Sequence, residues 1–303
     1  MSDLTVIILT YNEEKHIERC IRSLKPFAKK IVLVDSFSTD RTVEIADSLG
    51  AEVLQNRWPG NHAIQFQWGL DNAHLATEWI MKIDADEYVL PELADEISKK
   101  LPGLDNEISG IYMKRRVFFM GKWIKYGGYY PTWLLRIWRN GKGRMEQRWM
   151  DEHIKLTEGH AIRFEHDFVD DNLHGLTAWT QKHNHYATRE AVDILNILYG
   201  FRKYDSVRPN LFGTQEERKR WLKMKYASMP LFLRPVLYFT MRYFLKAGFL
   251  DGKPGLVWHS LQGGWYRFLV DAKIYEIYHK AGRDKENILD TLAEDYGINL
   301  KEG

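Results

Sequence analysis

Residues 79–93, WIMKIDADEYVLPEL, decide how the first half of the chain is read. Five mostly apolar residues, Trp79 to Ile83, stop at three carboxylates, Asp84, Asp86 and Glu87, set around the small Ala85. An apolar run of this kind reads as a buried strand. Carboxylates this close repel one another unless a cation or ordered donors neutralise them. The stretch therefore predicts a buried strand whose carboxyl end carries a place for something positive. A plainer alternative is a solvated turn whose Asp caps a helix beginning near Pro91, since a lone D-x-D arises by chance.

Working backwards, the same design recurs. LTVIILT (4–10) is a β-branched apolar run, a strand buried on both faces. Asn12 is expected to cap a helix with Glu13 and Glu14 in its first turn, and Ile17, Cys20, Ile21 and Leu24 mark its apolar stripe. KIVLVD (30–35) is a second strand, and STDRTVEIADSLG a second helix stopped by Gly50. AEVLQN is a third strand, 62–75 a third helix and 78–84 the fourth strand. Strand and helix alternating at this spacing give a parallel sheet with right-handed crossovers, and ligands bind beyond the carboxyl ends of such strands. Three polar loops converge there: Thr10-Tyr11-Asn12-Glu13, Asp35-Ser36 and Asp84-Ala85-Asp86. Neither G-x-G-x-x-G nor G-x-x-x-x-G-K-[ST] occurs, which argues against a dinucleotide-binding domain or a P-loop enzyme.

Composition sets wider bounds. The chain has 303 residues, 45% hydrophobic and 28% charged, with a formal charge of +2 that favours no particular partner. Its single cysteine, Cys20, allows no intramolecular disulfide and fits a reducing compartment, as a buried, inert thiol. MSDLTVIILT lacks the basic region and long apolar run of a signal peptide, and MPLFLRPVLYFTMRYFLKAGFL is broken by Arg234, Pro235, Arg242 and Lys246. A cytoplasmic chain is expected.

On the segments VIILTYNEEKHIERCIRSL, IVLVDSFSTDRTVEIA and EWIMKIDADEYV, in this order and spacing, the chain resembles glycosyltransferase family 2, which has the GT-A fold: a Rossmann-like α/β nucleotide-sugar-binding mixed sheet with flanking helices. HAIQFQWGLDNA, WMDEHIKL and FLDGKPGLVWHSLQGGWYRFLVDAKIYE resemble the branch of lipopolysaccharide-core and exopolysaccharide glucosyltransferases of the WaaE type. The resemblance implies that Thr10, Tyr11, Asn12 and Glu13 hold the nucleotide and that Asp35 contacts the uracil or ribose. Gln65 and Gln67 would face the nucleotide side. Asp84, with Ala85 beside it, would lie near the ribose, and Asp86 would ligate Mn²⁺ or Mg²⁺ on the diphosphate. The family often reads V-D-D-G-S-T-D where this chain has Val34-Asp35-Ser36-Phe37-Ser38-Thr39-Asp40, so a carboxylate and a glycine are missing.

In the second half, LPELADEISKKL is an expected helix, GIYMKRRVFFMGKW a strand, and Asn140-Gly141 a hairpin turn signal. An inverting transferase needs a carboxylate to take the acceptor's proton. The resemblance points to MDEH, with Glu152 as the base and Asp151 in reserve; on a strand these face opposite sides. The rival reading is an exposed acidic edge. His166 is a second candidate metal ligand, by the part a downstream His plays in some GT-A enzymes. His183-Asn184-His185 has the look of an H-N-H nuclease, but a helix over this stretch explains it better. Residues 202–253 hold 12 Lys/Arg against 4 Asp/Glu with aromatics interleaved, and read as a membrane-surface element or as an ordinary helical subdomain. No nucleic-acid-binding module is recognisable.

The expected organisation is a GT-A domain over 1–200 and a helical, basic-aromatic region over 201–303. The expected activity is metal-dependent, inverting transfer of a hexose from a nucleotide diphosphate sugar to a lipid-linked or lipopolysaccharide glycan, at the inner face of the cytoplasmic membrane. A glycan-binding scaffold on the same fold is the alternative. A nucleotidyltransferase is disfavoured, because TYNEE is acidic and has no glycine.

Overall fold

The first strand carries the geometry on which everything else is hung. In the computed structural model, which describes residues 1–145, 154–202, 210–212 and 215–300, β1 (Ser2–Thr10) has Leu4, Val6, Ile7 and Ile8 fully buried. β2 (Ala28–Asp35) and β4 (Trp79–Asp84) flank it, both parallel, and β3 (Glu52–Gln55) lies beyond β2. The crossovers are α1 (Ile17–Leu24), α2 (Thr42–Ser48) and α3 (His62–Asn72). Thr10 pairs with Asp35, and Leu9 with Asp84, so three carboxyl ends stop level with one another.

α3 packs tightly on this sheet because it presents Gly69. A Cβ there would meet Val34 Cγ2 at 2.6 Å, so even an alanine would push the helix away.

Beyond β4 the sheet becomes mixed and curls. β4 pairs antiparallel with β8 (Thr132–Arg139) over residues 79–81 only. β8 pairs with β6 (Ile108–Phe119), β6 runs parallel to β11 (His160–Asp171), and β11 holds β5 (Glu87–Val89). β5 follows β4 by two residues yet lies at the far end of the hydrogen-bonded order, so the curl brings the sheet's edge back to the Ala85-Asp86 turn. β7 (Lys122–Ile124) folds back on β6, and α4 (Pro91–Lys100) covers β11. β9 (Gly143–Met145) pairs with β10 (Ile154–Leu156).

Two local expectations fail. Asn12 is no helix cap: it takes a left-handed φ of 56°, its side chain binds another loop, and α1 begins only at Ile17. Asn140-Gly141 is a turn, but β9 leaves it to pair with β10 and does not fold back on β8.

The described residues up to His174 form one compact unit and those from Gly175 onwards a second. The second is helical: α5 (Leu176–Tyr199), α6 (Gln215–Ala227), α7 (Leu233–Thr240), α8 (Gly252–Trp258), α9 (Tyr266–Ala281) and α10 (Lys285–Tyr296). Ala187, Ala191, Ile194 and Leu195 of α5 share a core with Val270, Ile274 and Ile277 of α9. Residue 200, the expected boundary, lies at the far end of α5. His183 and His185 sit on that helix, where the His183 ring stacks on Trp179. A fully buried ion pair, Arg234–Asp271 at 2.6 Å, ties α7 to α9. Among the described residues no helix is long and apolar enough to cross a membrane.

Candidate active site at the carboxyl ends of the strands

Two loops at the strand ends are stitched together by the polar residues that the sequence singles out. The Thr10 hydroxyl donates to the buried Asp35 carboxylate at 3.0 Å, which also accepts from the Ser38 amide at 2.9 Å and Gln55 Nε2 at 3.3 Å. The Asn12 amide donates to Ser38 Oγ at 2.8 Å, and Asn12 Oδ1 accepts from the Thr39 amide at 2.8 Å. The Glu13 amide donates to Thr42 Oγ1 at 2.7 Å. Tyr11 and Phe37 are left exposed. Gln65, fully buried, donates to Ser36 Oγ at 3.1 Å and to the Asn56 carbonyl, bracing α3 against the ends of β2 and β3. Gln67 does not join it. Two residues on a helix turn through about 200°, and Gln67 sits exposed, bonded to Asp71.

Phe37 stands where the family pattern has glycine and takes a left-handed φ of 62°. That conformation costs a side-chain-bearing residue about 1–2 kcal/mol, while glycine adds about 0.5–1 kcal/mol of unfolded-state entropy. Because the ring is exposed, Phe37→Gly should be neutral to stabilising by up to about 1 kcal/mol. Urea unfolding measures it, and a loss above about 1 kcal/mol would mean that the ring contributes packing.

The acidic turn answers the repulsion among its carboxylates chiefly with the protein's own cations. Lys82 Nζ lies 2.8 Å from Asp84 Oδ1, and Arg136, on β8, reaches Asp84 Oδ2 at 3.4 Å and Glu87 Oε1 at 2.5 Å. Glu87 is fully buried and also accepts the Asp84 amide at 3.0 Å. Burial pushes the Asp84 carboxyl up, but Lys82 and Arg136 outweigh it and hold the group well below its ordinary value. Glu87 goes the other way, raised by burial and by the Asp84 and Asp170 charges against the pull of Arg136. Cys20 is buried beneath the turn, and burial with the three carboxylates pushes its thiol well up, as an inert thiol requires.

Asp86 differs from the other two. Its partner is the neutral Asn172 amide, 2.9 Å from Oδ2, and its carbonyl accepts the Asp171 amide at 3.1 Å. A partly exposed carboxylate with oxygen donors to offer suits Mg²⁺ or Mn²⁺.

His166 does not lie beside it. Its Nδ1 binds Glu96 of α4 at 2.8 Å, and the same carboxylate accepts the amides of Glu165 and His166 at 3.0 Å. Burial raises the Glu96 carboxyl, but these bonds and Lys100 prevail and hold it at about 2. Asp171, which meets Asp86, is five residues farther along β11, about 16 Å of strand.

The histidine that does come to this end is His174, which the sequence reading passed over. Asn172 Oδ1 accepts the His174 amide at 2.9 Å, and His174 Nε2 lies 4.0 Å from Glu13 Oε2. Glu13, His16 and His174 form a cluster of metal-type ligands within 4.8 Å of one another. His16 is already committed. Leu173 N–H donates to its Nε2 at 2.7 Å, so Nδ1 carries the proton and donates to Glu13 at 2.6 Å. His16 is therefore a bracket between the first loop and the end of β11; Glu13, His174 and Asp86 are the groups that can face a ligand. Asp151 and Glu152 lie outside the described residues.

Comparison with known proteins gives the family of the chain. The model of the family described as Glycosyl transferase family 2 matches residues 5–171. An uncharacterised glycosyltransferase of Rickettsia bellii is 44% identical over 94 residues, 31% of this chain and 31% of that one, so this match spans about a third of the relative's length. The lipopolysaccharide core biosynthesis glycosyltransferase LpsC of Rhizobium meliloti is 30% identical over 300 residues, 96% of this chain and 97% of its own. Among solved structures, the mannosyltransferase PcManGT from Pyrobaculum calidifontis, in complex with GDP-Man and Mn²⁺, aligns over 90% of this chain and 87% of that one with 14% identity and a TM-score of 0.49. By the family match over more than half its length and the full-length likeness to LpsC, the chain belongs to glycosyl transferase family 2, and its first unit is a GT-A fold followed by a helical region.

Proposed function

We propose that this glycosyltransferase moves a hexose, with inversion, from a nucleoside diphosphate sugar, UDP-hexose foremost, to a lipopolysaccharide-core or exopolysaccharide acceptor. The alignment of three polar strand ends on one edge carries the reading. The loop Thr10–Glu13 and Asp35 hold the nucleoside, with Tyr11 offering an aromatic face and Asp84 near the ribose. Gln65 supports the floor of that pocket. Asp86 and His174, with His174 taking the part first expected of His166, would hold Mn²⁺ or Mg²⁺. When bound, the metal neutralises the diphosphate. Glu152, with Asp151 in reserve, takes the proton from the acceptor hydroxyl as that oxygen attacks the anomeric carbon and the nucleoside diphosphate leaves from the opposite face.

Full-length likeness to LpsC supports the choice of acceptor. An acceptor on a lipid is reached from the bilayer surface, and the basic, aromatic stretch 202–253 would make a peripheral contact at its cytoplasmic face. A thermal-shift screen of UDP-, GDP-, CMP- and dTDP-sugars, each with and without Mn²⁺, tests the donor reading. One nucleotide class should raise the midpoint in a Mn²⁺-dependent way, by about 2.7 kcal/mol of stability at a hundredfold excess over the dissociation constant. No shift with any donor, from folded protein, would favour a glycan-binding scaffold.

A further inference from the structure

The stretch 241–259 of the helical unit buries two titratable side chains while it exposes four large apolar ones. After α7 the chain runs through 241–245, turns at 246–251 and returns along α8, and α7 packs against the segment 259–265 that follows α8. The result is a helical hairpin whose tip is 244–250. At that tip Phe244 is 56% exposed, Leu245 80%, Phe249 48% and Leu250 54%. The interior holds what a soluble hairpin would turn outward: Asp251 at 2% exposure and His259 at 0%, with His259 Nε2 4.0 Å from the Asp251 carboxylate. Gly248 is pressed against the His259 ring so closely that a Cβ could not fit. Single exposed apolar residues are ordinary, but four large ones on one tip, above a polar interior, call for a covering surface.

The charge pattern says which surface. From Phe232 to Val270 the sole acidic residue is the buried Asp251, whereas the tip carries the exposed Lys246 and is followed by the exposed Lys253. Apolar side chains that project beside lysines, with no acid outside, match an anionic bilayer: hydrocarbon takes the rings and headgroups take the ammonium groups.

We propose that the hairpin tip 244–250 inserts from one side into the interface of an anionic bilayer. No helix among the described residues is long and apolar enough to cross a membrane, so the insertion is shallow, about 5–10 Å, and the chain returns on the side it entered. This narrows the peripheral contact proposed for 202–253 to seven residues and rests on that reading for the choice of a bilayer. It does not depend on the sugar, the metal or the acceptor.

The test uses the whole chain with vesicles of phosphatidylcholine, alone or with about a third phosphatidylglycerol. The protein should sediment with the anionic vesicles and at least tenfold less with the neutral ones. The variant F244S/L245S/F249S/L250S should lose at least tenfold in partition while keeping its melting transition and any Mn²⁺-dependent donor shift. Leu245→Cys labelled with an environment-sensitive dye gives a second reading, free of competition because the one native thiol is buried. Its emission should shift to the blue with anionic vesicles and be quenched by brominated lipid. Absence of sedimentation by the unaltered chain would overturn both the tip and the wider membrane contact. Sedimentation that the tip variant leaves intact, or a label that does not respond, would overturn the tip alone. A dimer in solution that the variant dissociates would overturn it in favour of a second copy of the chain. Vesicle binding without any donor shift would overturn the transferase reading and leave the tip standing.

Discussion

Asp86→Ala should abolish turnover, by at least about a thousandfold, with the melting midpoint nearly unchanged. The contrast with its neighbours makes the expectation sharp. Asp84 is held by Lys82 and Arg136, and Glu87 by Arg136 and a backbone amide. Among the described residues the Asp86 carboxylate bonds the Asn172 amide, a neutral group, on a partly exposed turn. Losing one such hydrogen bond costs about 1 kcal/mol. Loss of the carboxylate instead removes the charge that would bind a divalent cation. Asp86→Asn separates the two: it can still accept from Asn172, yet should be nearly as inactive, and calorimetry with Mn²⁺ should show no binding in either variant. Full activity in Asp86→Ala would sink the metal assignment outright.

Arg136→Met should be the most destabilising single change near the site, by about 3–5 kcal/mol, because it strips a cation from the ionised Asp84 and leaves the buried Glu87 carboxyl without its hydrogen-bond donor. Urea unfolding should show a lower midpoint with little change in slope. Adding Glu87→Gln should recover part of the loss, since an amide oxygen can still accept from the Asp84 amide and a side chain that cannot ionise needs no cation beside it. If Arg136→Met unfolds at the midpoint of the unaltered protein, the turn is neutralised by solvent and the ion pair is ornamental.

How much of this the sequence carried depends on the distance over which each contact acts. The parallel half was legible: long β-branched runs, apolar helix stripes and short crossovers are local signals, and the order β3-β2-β1-β4 follows from them. The curled half was not, because β8, β6 and β11 meet across dozens of residues, with register shifts between Arg163 and Asp167 and between Ile111 and Tyr112 that no alternation announces. The source of positive charge at the acidic turn divides the same way. Lys82 is two residues from Asp84, on the same face of a strand, and could have been read from period two. Arg136 is 52 residues away and could not. Gln67 is set nearly opposite Gln65 by the helical period alone, which the sequence already carries. His174 lies just past the end of β11, whereas His166 lies inside the strand and is bonded to Glu96, a placement that the resemblance pointing to His166 does not carry.

The Ala85-Asp86 turn joins β4, in the middle of the hydrogen-bonded order, to β5 at its end, and the Asp86 carbonyl is latched to Asp171. Chain length at this point is therefore quantised. One extra residue would turn Asp86 away from Asn172 and throw β5 out of phase with β11, whereas the Met120-Gly121 turn between β6 and β7 stands at the open end of a hairpin and can lengthen without disturbing any register. Over the history of such a chain, insertions and deletions have room at the hairpin and none at the seam, so the spacing from Asp84 to Glu87 is fixed by the closure of the sheet as firmly as by anything it binds.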